Sequence, residues 1–159
     1  MAYALKTILY ATDLGPRGPE VFDHAAGLAK QTGACIHIVH AIEPLTEFAH
    51  SLVDTYVPAE VLESLREDKI AGLHGEVQRR LDEYCKDELH AQARASVADV
   101  RVVEGHPAEV ILDEARRSGA DLIVMGSRGH TALGEMLLGS VTHKVVMKAR
   151  LPVLLVPLT

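Results

Sequence analysis

Glycine, serine and threonine residues recur in one part of the sequence at a spacing that suits the binding of an anion. Residues 125–130 read Met-Gly-Ser-Arg-Gly-His, and residues 139–142 read Gly-Ser-Val-Thr. Gly126 and Gly129 permit positive φ and close backbone approach, so that successive N–H groups can point into one concavity. The pattern G-x-x-G-x9-G-S therefore indicates a cradle for phosphate groups. A plain turn followed by a capped helix is the alternative that the residue types leave open.

The second half of this pattern is expected at the start of a helix. Unpaired N–H groups and the positive end of the helix dipole favour an anion there. We expect the hydroxyl groups of Ser140 and Thr142 to donate to phosphate oxygens. Side-chain contacts from Ser127, Arg128 and His130 would add to the cradle.

A carboxylate lies in a second polar turn, Ala11-Thr12-Asp13-Leu14-Gly15, which follows the first apolar run of the chain. In open α/β sheets, ligands bind beyond the carboxyl ends of the strands, where the strand order reverses. Asp13 and the glycine motif both follow predicted strands, so both are candidates for one site. A turn-forming or helix-capping aspartate is the alternative for Asp13.

Five apolar runs of strand length must position these turns, and patterns of helical spacing separate them. The predicted strands are 7–11, 35–42, 99–103, 121–125 and 153–156, and the predicted helices are 19–32, 58–89, 107–117 and 140–149. We expect Gly72 and Gly75 to kink or split the long second helix. Strands that alternate with crossover helices predict an α/β fold with a mainly parallel sheet covered on both faces.

The connection 43–57, EPLTEFAHSLVDTYV, is the one long irregular segment that the pattern predicts. Its apolar residues indicate that it packs against something, as a lid or as a subunit contact; they are Leu45, Phe48, Leu52, Val53 and Tyr56. An ordinary packed insertion is the alternative.

Composition limits the class of protein further. The chain has 159 residues, which predicts a single domain over 1–159. A formal net charge of −6 disfavours nucleic-acid and anionic lipid partners. No apolar run approaches the length of a membrane-spanning helix, and the start lacks a secretory pattern, so we expect a cytoplasmic protein without membrane insertion. Cys35 and Cys85 have no C-x-x-C spacing and are expected to be reduced, half-buried thiols.

Several familiar sites are not indicated. No lysine follows the glycines as in the P-loop of NTPases, and the spacing is not the G-x-G-x-x-G of dinucleotide-binding folds. The nine histidines show no H-x-x-x-H or H-E-x-x-H spacing, so we expect no metal site. His37 and His40 are expected on opposite faces of one strand, because strand side chains alternate.

The sequence resembles the universal stress protein family, whose ATP-binding members carry G-x-x-G-x9-G-(S/T) after the fourth strand. Here the motif consists of Gly126, Gly129, Gly139 and Ser140. The resemblance extends over nearly the whole chain, from KTILYATD through IVHAIE, VVEGHPAEVI and ADLIVMGSRGH to LPVLLVP. It implies a single doubly wound open sheet of five parallel strands in the order 3-2-1-4-5, with helices on both faces. That order would bring Asp13 opposite Gly126.

The resemblance also implies a role for each matching residue. Thr12 and Asp13 would line the adenine and ribose side, and Ala41 would contact the base. Met125 and Gly126 would flank the ribose and the first phosphate. The phosphates would be held largely by backbone N–H groups of Gly129, Gly139, Ser140, Val141 and Thr142. Valine is frequent in the family at the position of Ala41, so the base pocket is expected to be slightly roomier here.

The expected function is that of a nucleotide-responsive regulatory or stress-response protein that binds ATP, with Mg²⁺ held by phosphate oxygens and water. No second acidic residue of the Walker-B kind is evident, so at most slow ATP hydrolysis is expected. The alternatives are a slow ATP hydrolase, an AMP or cyclic-AMP sensor in the same pocket, and a nucleotide-free scaffold.

Partners are expected as well as a ligand. The last strand, 153–156, would lie at an edge of the sheet, and the resemblance implies a homodimer through it. An edge that loops merely shield is the alternative. An unidentified protein partner would receive the regulatory signal.

Overall fold

The computed structural model describes residues 2–128 and 138–158, and its centre is one parallel sheet. The strands are β1 Thr7–Ala11, β2 Cys35–Ile42, β3 Val97–Glu104, β4 Leu122–Gly126 and β5 Val153–Val156. They lie in the order β3-β2-β1-β4-β5, and every neighbouring pair is parallel. The predicted strand order is therefore confirmed, and only the bounds of the third and fourth strands differ.

Six helices lie in the described part of the chain. They are α1 Gly18–Thr32, α2 Glu47–Tyr56, α3 Ala59–Tyr84, α4 Ala93–Ser96, α5 Pro107–Ser118 and α6 Ser140–Lys148. Gly33 and Gly119 end α1 and α5 with φ of 75° and 65°, the left-handed conformation that glycine adopts most easily. Proline in the first turn of both helices fits their start, because the missing N–H has no intrahelical acceptor there.

Both faces of the sheet are buried, as the long apolar strands predict. One face packs against α1 and α3, with Ile8, Tyr10, Phe22, Ile38 and Val77 among its buried side chains. The other packs against α5 and α6, with Leu9, Val39, Ile111, Ile123 and Val145. Successive strand residues point to opposite faces, so each residue at a strand end is assigned to one of these two layers.

Two predictions about the middle of the chain were wrong. The connection 43–57 is not irregular, because α2 occupies most of it and begins at the cap of Thr46, whose Oγ1 accepts from the N–H of Ala49 at 3.2 Å. The predicted second helix is α3, which is uninterrupted at Gly72 and Gly75 and ends at Tyr84. Added Cβ atoms at these glycines would meet nothing within 4 Å, so no close packing bends the helix there.

Among the described residues, none of the helices combines the length and the apolar character that a bilayer crossing requires.

Candidate functional site

The two polar turns singled out by the sequence lie at the same edge of the sheet. β1 and β4 are neighbours in parallel register, with Leu9 opposite Ile123 and Tyr10 opposite Val124. Their carboxyl ends therefore open side by side, and the turn that contains Asp13 lies beside the one that begins at Gly126. The strand order reverses at this point, which is where ligands bind in open α/β sheets.

The turn after β1 is held by its own side chains. Thr12 Oγ1 accepts from the N–H of Leu14 at 3.1 Å, and Asp13 Oδ1 accepts from the N–H of Gly15 at 2.8 Å. Leu14 adopts φ of 58°, an uncommon conformation for a residue with a side chain. Asp13 thus makes the turn-forming contact that the sequence left open as the alternative to ligand binding. Its side chain is nevertheless exposed at the edge of the sheet.

A histidine on β2 anchors this turn from the neighbouring strand. Nδ1 of His40 lies 2.8 Å from the carbonyl oxygen of Thr12. A carbonyl only accepts hydrogen bonds, so Nδ1 must carry a hydrogen. His40 directly precedes Ala41, and it therefore links the segment assigned to the base with the segment that carries Asp13. His37 points to the other face, where its Nδ1 is 3.9 Å from Asp99 Oδ2, as the alternation predicts.

An arginine on α3 contacts the same turn from the α1 and α3 side. Arg80 Nη1 donates to the carbonyl of Gly15 at 3.0 Å, and its Nε donates to Glu76 at 2.8 Å. A cavity of about 50 Å³ lies behind the turn, and Tyr10, Thr12 and Arg80 are among its lining residues. Burial raises the pKa of Tyr10 to about 12, so its hydroxyl stays protonated and donates to the carbonyl of Gly18 at 3.1 Å.

The predicted residues are divided between the two faces. Ala11, Ala41, Met125 and Val141 all belong to the layer under α5 and α6. Thr12 instead lines the cavity on the opposite face, and its hydroxyl oxygen accepts the hydrogen bond from the N–H of Leu14 within the turn. Ala11 and Ala41 are the smallest side chains at the carboxyl ends of β1 and β2, so the α5 and α6 side of this edge has little bulk.

The start of α6 has the features expected of an anion site. Gly139 is its N-cap and has no side chain that could satisfy the first N–H groups, which also lack acceptors within the helix. Ser140 is exposed at the first helical position. Thr142 differs from the expectation, because it is 2% exposed and its hydroxyl donates to the carbonyl of Gly126 at 3.0 Å. Its single hydroxyl hydrogen fastens α6 to β4, so it is not presented to a ligand.

The turn after β4 is tied to its surroundings through Ser127. Its N–H donates to the carbonyl of Val156 at 2.9 Å, and its carbonyl accepts from the N–H of Gly139 at 2.9 Å. Its Oγ accepts from the N–H of Leu158 at 3.0 Å. Ser127 thereby brings the start of α6 against the end of β4. Arg128 is half-buried at the end of this stretch.

Gly126 does not use the conformation that its residue type permits. It is the last residue of β4, and its φ is outside the left-handed range. It is needed for space instead, since a Cβ there would lie 2.7 Å from Leu158 Cδ1 and 3.4 Å from Val21 Cγ2. The predicted roles of Gly129 and His130 fall on residues outside the described part of the chain.

Three residues that contact the turn after β1 or line the cavity behind it were not revealed by the sequence motifs: His40, Arg80 and Tyr10. The position of His40 at the end of β2, one residue before Ala41, was the available signal. Arg80 lies 65 residues from its acceptor in Gly15, so only the packing of α3 brings the two together. Over residues 2–128 and 138–158, no group of three side chains is arranged to hold a metal ion.

Comparison of the sequence with known proteins indicates one family. The model of the universal stress protein family matches residues 4–157. A universal stress protein of Thermus aquaticus, named for the QAH/OAS sulfhydrylase 3' region, is 37% identical over 153 residues, which is 95% of this chain and 98% of the relative.

Two solved structures are similar to the fold. One is the structure of MJ0577, a universal stress protein of Methanocaldococcus jannaschii. It aligns with a TM-score of 0.70 at 27% sequence identity, and the alignment covers 97% of this chain and 96% of the MJ0577 chain. A universal stress protein crystallised in complex with cAMP has a TM-score of 0.61 at 22% identity and covers 97% and 98% of the two chains. With its sheet order, its glycine motif and a family match over almost its full length, the chain belongs to the universal stress protein family.

Proposed function

We propose that this protein binds ATP at the carboxyl edge between β1 and β4 and acts as a nucleotide-responsive regulatory protein in a stress response. The observation that supports it most is the start of α6, where an exposed Ser140 follows a glycine cap and Ser127 fastens the helix beside β4. A helix start with unsatisfied N–H groups attracts a polyanion through hydrogen bonds and through the helix dipole.

The residues of this edge fit each part of the nucleotide. The N–H groups of Ser140, Val141 and Thr142 would hold phosphates, with the Ser140 hydroxyl as a further donor. Asp13 and the backbone of Thr12 would contact the adenine and ribose, and the small side chain of Ala41 leaves room for the base. Met125 and Gly126, the last two residues of β4, would flank the ribose and the first phosphate, and Ser127 and Arg128 would follow them along the phosphates. Gly129 and Gly139 complete the motif in sequence.

Mg²⁺ would accompany the triphosphate. Asp13 is the one carboxylate that the predicted site supplies, so the ion would be held mainly by phosphate oxygens and water, as magnesium prefers. Rapid phosphoryl transfer needs a positioned metal and a residue that orients the nucleophile. We therefore expect binding with at most slow hydrolysis to ADP.

Cyclic AMP is the second candidate ligand. A protein of the same fold is crystallised with cAMP. In addition, the Thr142 hydroxyl is used within the fold, which leaves fewer side-chain donors for a triphosphate than the sequence predicts. AMP would use the same base and ribose contacts.

Calorimetric titration of the nucleotide-stripped protein tests the proposal. ATP, ADP, AMP, cyclic AMP and GTP are titrated with and without Mg²⁺, and the ATP sample is then analysed for ADP. We expect ATP to bind most tightly, adenine to be preferred over guanine, and turnover to be slow. Tighter binding of cyclic AMP would transfer the assignment to that ligand, and rapid ADP formation would make the protein a hydrolase. Failure of every nucleotide to bind would refute the proposal and leave a scaffold.

The proposal includes a cytoplasmic homodimer that forms through β5. β5 is an edge strand in which three of the four side chains are half-buried, and an apolar edge is a template for pairing with a second copy.

A further inference from the structure

Helix α2 is well formed but is hardly covered by the rest of the chain. It has a threonine cap and an acidic residue, Glu47, in its first turn. Within this fully described helix none of the ten side chains is buried. Ala49, Val53 and the following Val57 are half-buried and form its inward side. A helix of this length is only marginally stable in water unless it packs against something. Its outward side is therefore a candidate for a contact with another molecule.

The outward side carries a row of large apolar residues. Leu45, Phe48, Leu52 and Tyr56, here called the α2 stripe, are 53%, 76%, 45% and 79% exposed. Phe48, Leu52 and Tyr56 are spaced four residues apart, which places them on one side of α2, and Leu45 directly precedes the cap Thr46. Val61 and Leu65 of α3 are also exposed, at 48% and 57%. The chain has only two Phe and four Tyr, and the stripe uses one of each. Large contiguous apolar patches on a surface mark sites of protein interaction.

The charged residues of the segment 43–65 are all acidic, and the first basic residue after it, Arg66, pairs with Glu63 at 3.5 Å and with Glu104 at 3.1 Å. Residues 43–65 contain five of the 22 acidic residues and none of the 16 basic ones, so this stretch carries −5 of the formal net charge of −6. All five carboxylates are exposed; they are Glu43, Glu47, Asp54, Glu60 and Glu63. Asp54 is contacted by His50 Nδ1 at 2.9 Å. The four of these carboxylates that no arginine pairs with in the described structure, here called the acidic rim, therefore give the segment that carries Phe48 and Tyr56 a local excess of negative charge; they are Glu43, Glu47, Asp54 and Glu60.

We propose that the α2 stripe is a docking surface for a basic amphipathic helix of another protein. Such a helix would place apolar anchors at i, i+3, i+4 and i+7 on the stripe, and its Lys and Arg residues would meet the acidic rim. The aromatic side chains supply most of the contact area, since Phe and Tyr each bury roughly 150–250 Å².

The charge distribution disfavours the other occupants. A second copy docked across a two-fold axis would bring two acidic rims together, and like charges at close range oppose association. An anionic lipid surface would be repelled for the same reason.

The test uses a fluorescein-labelled synthetic peptide of leucine and lysine that forms an amphipathic helix, with binding followed by fluorescence anisotropy. Two peptides serve as probe controls: the same leucine pattern with glutamate in place of lysine, and a scrambled leucine–lysine peptide without an apolar side. The protein variants are F48S/Y56S for the stripe and E47Q/E60Q for the rim. L89S and E83Q/E88Q are matched controls, because Leu89 is 75% exposed and both glutamates are exposed away from the stripe. Circular dichroism confirms that each variant is folded.

We expect the lysine peptide to bind the native protein, and we expect F48S/Y56S to weaken binding about tenfold or more. E47Q/E60Q should weaken binding and reduce its dependence on salt, while the two control variants should bind as the native protein does. Equal binding of the scrambled peptide, or unchanged binding by F48S/Y56S, would overturn the proposal. So would a loss of self-association in F48S/Y56S on analytical ultracentrifugation, which would assign the stripe to a second copy.

Discussion

Three residues illustrate how single side chains shape the candidate site. Asp13 and His40 both act on the turn after β1, one from within it and one from β2, through contacts of 2.8 Å. Ser140 stands at the first position of α6 with an exposed side chain. Substitutions at Ser140 and His40 test the phosphate site and the turn separately.

Ser140→Asp should affect stability and nucleotide binding in opposite directions. A carboxylate in the first turn of a helix is stabilised by the dipole by about 0.3–1 kcal/mol. The same charge would repel the phosphates of ATP, so we expect affinity to fall about tenfold or more while the melting temperature stays constant or rises. Ser140→Asn is the uncharged control and should retain most of the affinity. Calorimetry and thermal melts measure the two effects, and unchanged ATP affinity in S140D would exclude the start of α6 as the phosphate site.

His40→Asn should preserve the turn after β1, and His40→Leu should loosen it. The amide nitrogen of asparagine can occupy the place of Nδ1 and donate to the Thr12 carbonyl, whereas leucine leaves that carbonyl without its donor, at a cost of about 1–3 kcal/mol. Hydrogen exchange of the Leu14 and Gly15 amides in nucleotide-free protein is the measurement. Faster exchange in H40L with near-native exchange in H40N is expected. If both variants exchange equally fast, the side-chain donor is not what holds the turn.

The types of the site residues could be predicted from sequence better than their contacts. Asp13, Ser140 and Ala41 lie at the strand and helix ends where the motif predicts them. Thr142 was expected to donate to phosphate, but its hydroxyl donates to the carbonyl of Gly126 instead. A hydroxyl chooses its acceptor from the local three-dimensional surroundings, which spacing along the chain does not encode.

At the scale of elements, the end of β4 is packed against the end of the chain and against α1. A Cβ added at Gly126 would lie 2.7 Å from Leu158 Cδ1. The N–H of Leu158 also donates a hydrogen bond to Ser127 Oγ. A side chain at the glycine of the motif would therefore have to displace the end of the Leu158 side chain.

Gly126→Val should destabilise the fold, and Leu158→Ala should relieve part of that effect. Overpacking of this kind costs about 1–3 kcal/mol, and residues in contact couple in a double-mutant cycle. No backbone strain is expected, because φ of Gly126 is outside the left-handed range. Urea unfolding of the two single variants and the double variant measures the coupling. Strictly additive free energies of unfolding would show that Leu158 is not the neighbour that limits this position.

Helix α2 shows where the prediction of elements from sequence fails. The connection 43–57 was predicted to be irregular although, after Pro44, its apolar residues recur at helical spacing. Only small and β-branched side chains, Ala49 and Val53, face inward from α2. Hydrophobic periodicity is the signal from which amphipathic helices are predicted, and the spacing of Phe48, Leu52 and Tyr56 carries it, so α2 was open to prediction from the sequence.

At the scale of the whole molecule, the sheet has two open edges, β3 and β5. The contacts of β5 with β4 include the carbonyl of Pro152 with the N–H of Ile123 at 3.0 Å and that of Val156 with the N–H of Ser127 at 2.9 Å. By the alternation of a parallel ladder, the N–H groups of Val153 and Leu155 point to the outer edge.

Leu155→Pro should therefore remove an outward donor while leaving the ladder to β4 in place, since proline is tolerated on edge strands. We expect the proposed dimer to dissociate into folded monomers, with a dimer Kd raised about tenfold or more. Leu155→Val keeps the N–H and is the matched control. Sedimentation equilibrium measures the constant, and an unaltered dimer in L155P would place the interface elsewhere.

The overall architecture was the most predictable level, for a physical reason. Strands buried on both faces form continuous apolar runs, and their alternation with helices predicts a parallel sheet, while the strand order itself was implied by the resemblance to the family. Each strand of the observed sheet overlaps a predicted one, including the weakest, β3, which is only partly apolar because Asp99 and Arg101 form ion pairs with residues of α5.

An NMR titration of the labelled protein with ATP and Mg²⁺ locates the nucleotide residue by residue. We expect the amide signals of Ser140, Val141 and Thr142 and of the turn around Asp13 to shift together and to saturate at one Kd. Shifts confined to the cavity lined by Tyr10 and Arg80, or no saturable shift at the start of α6, would contradict the account.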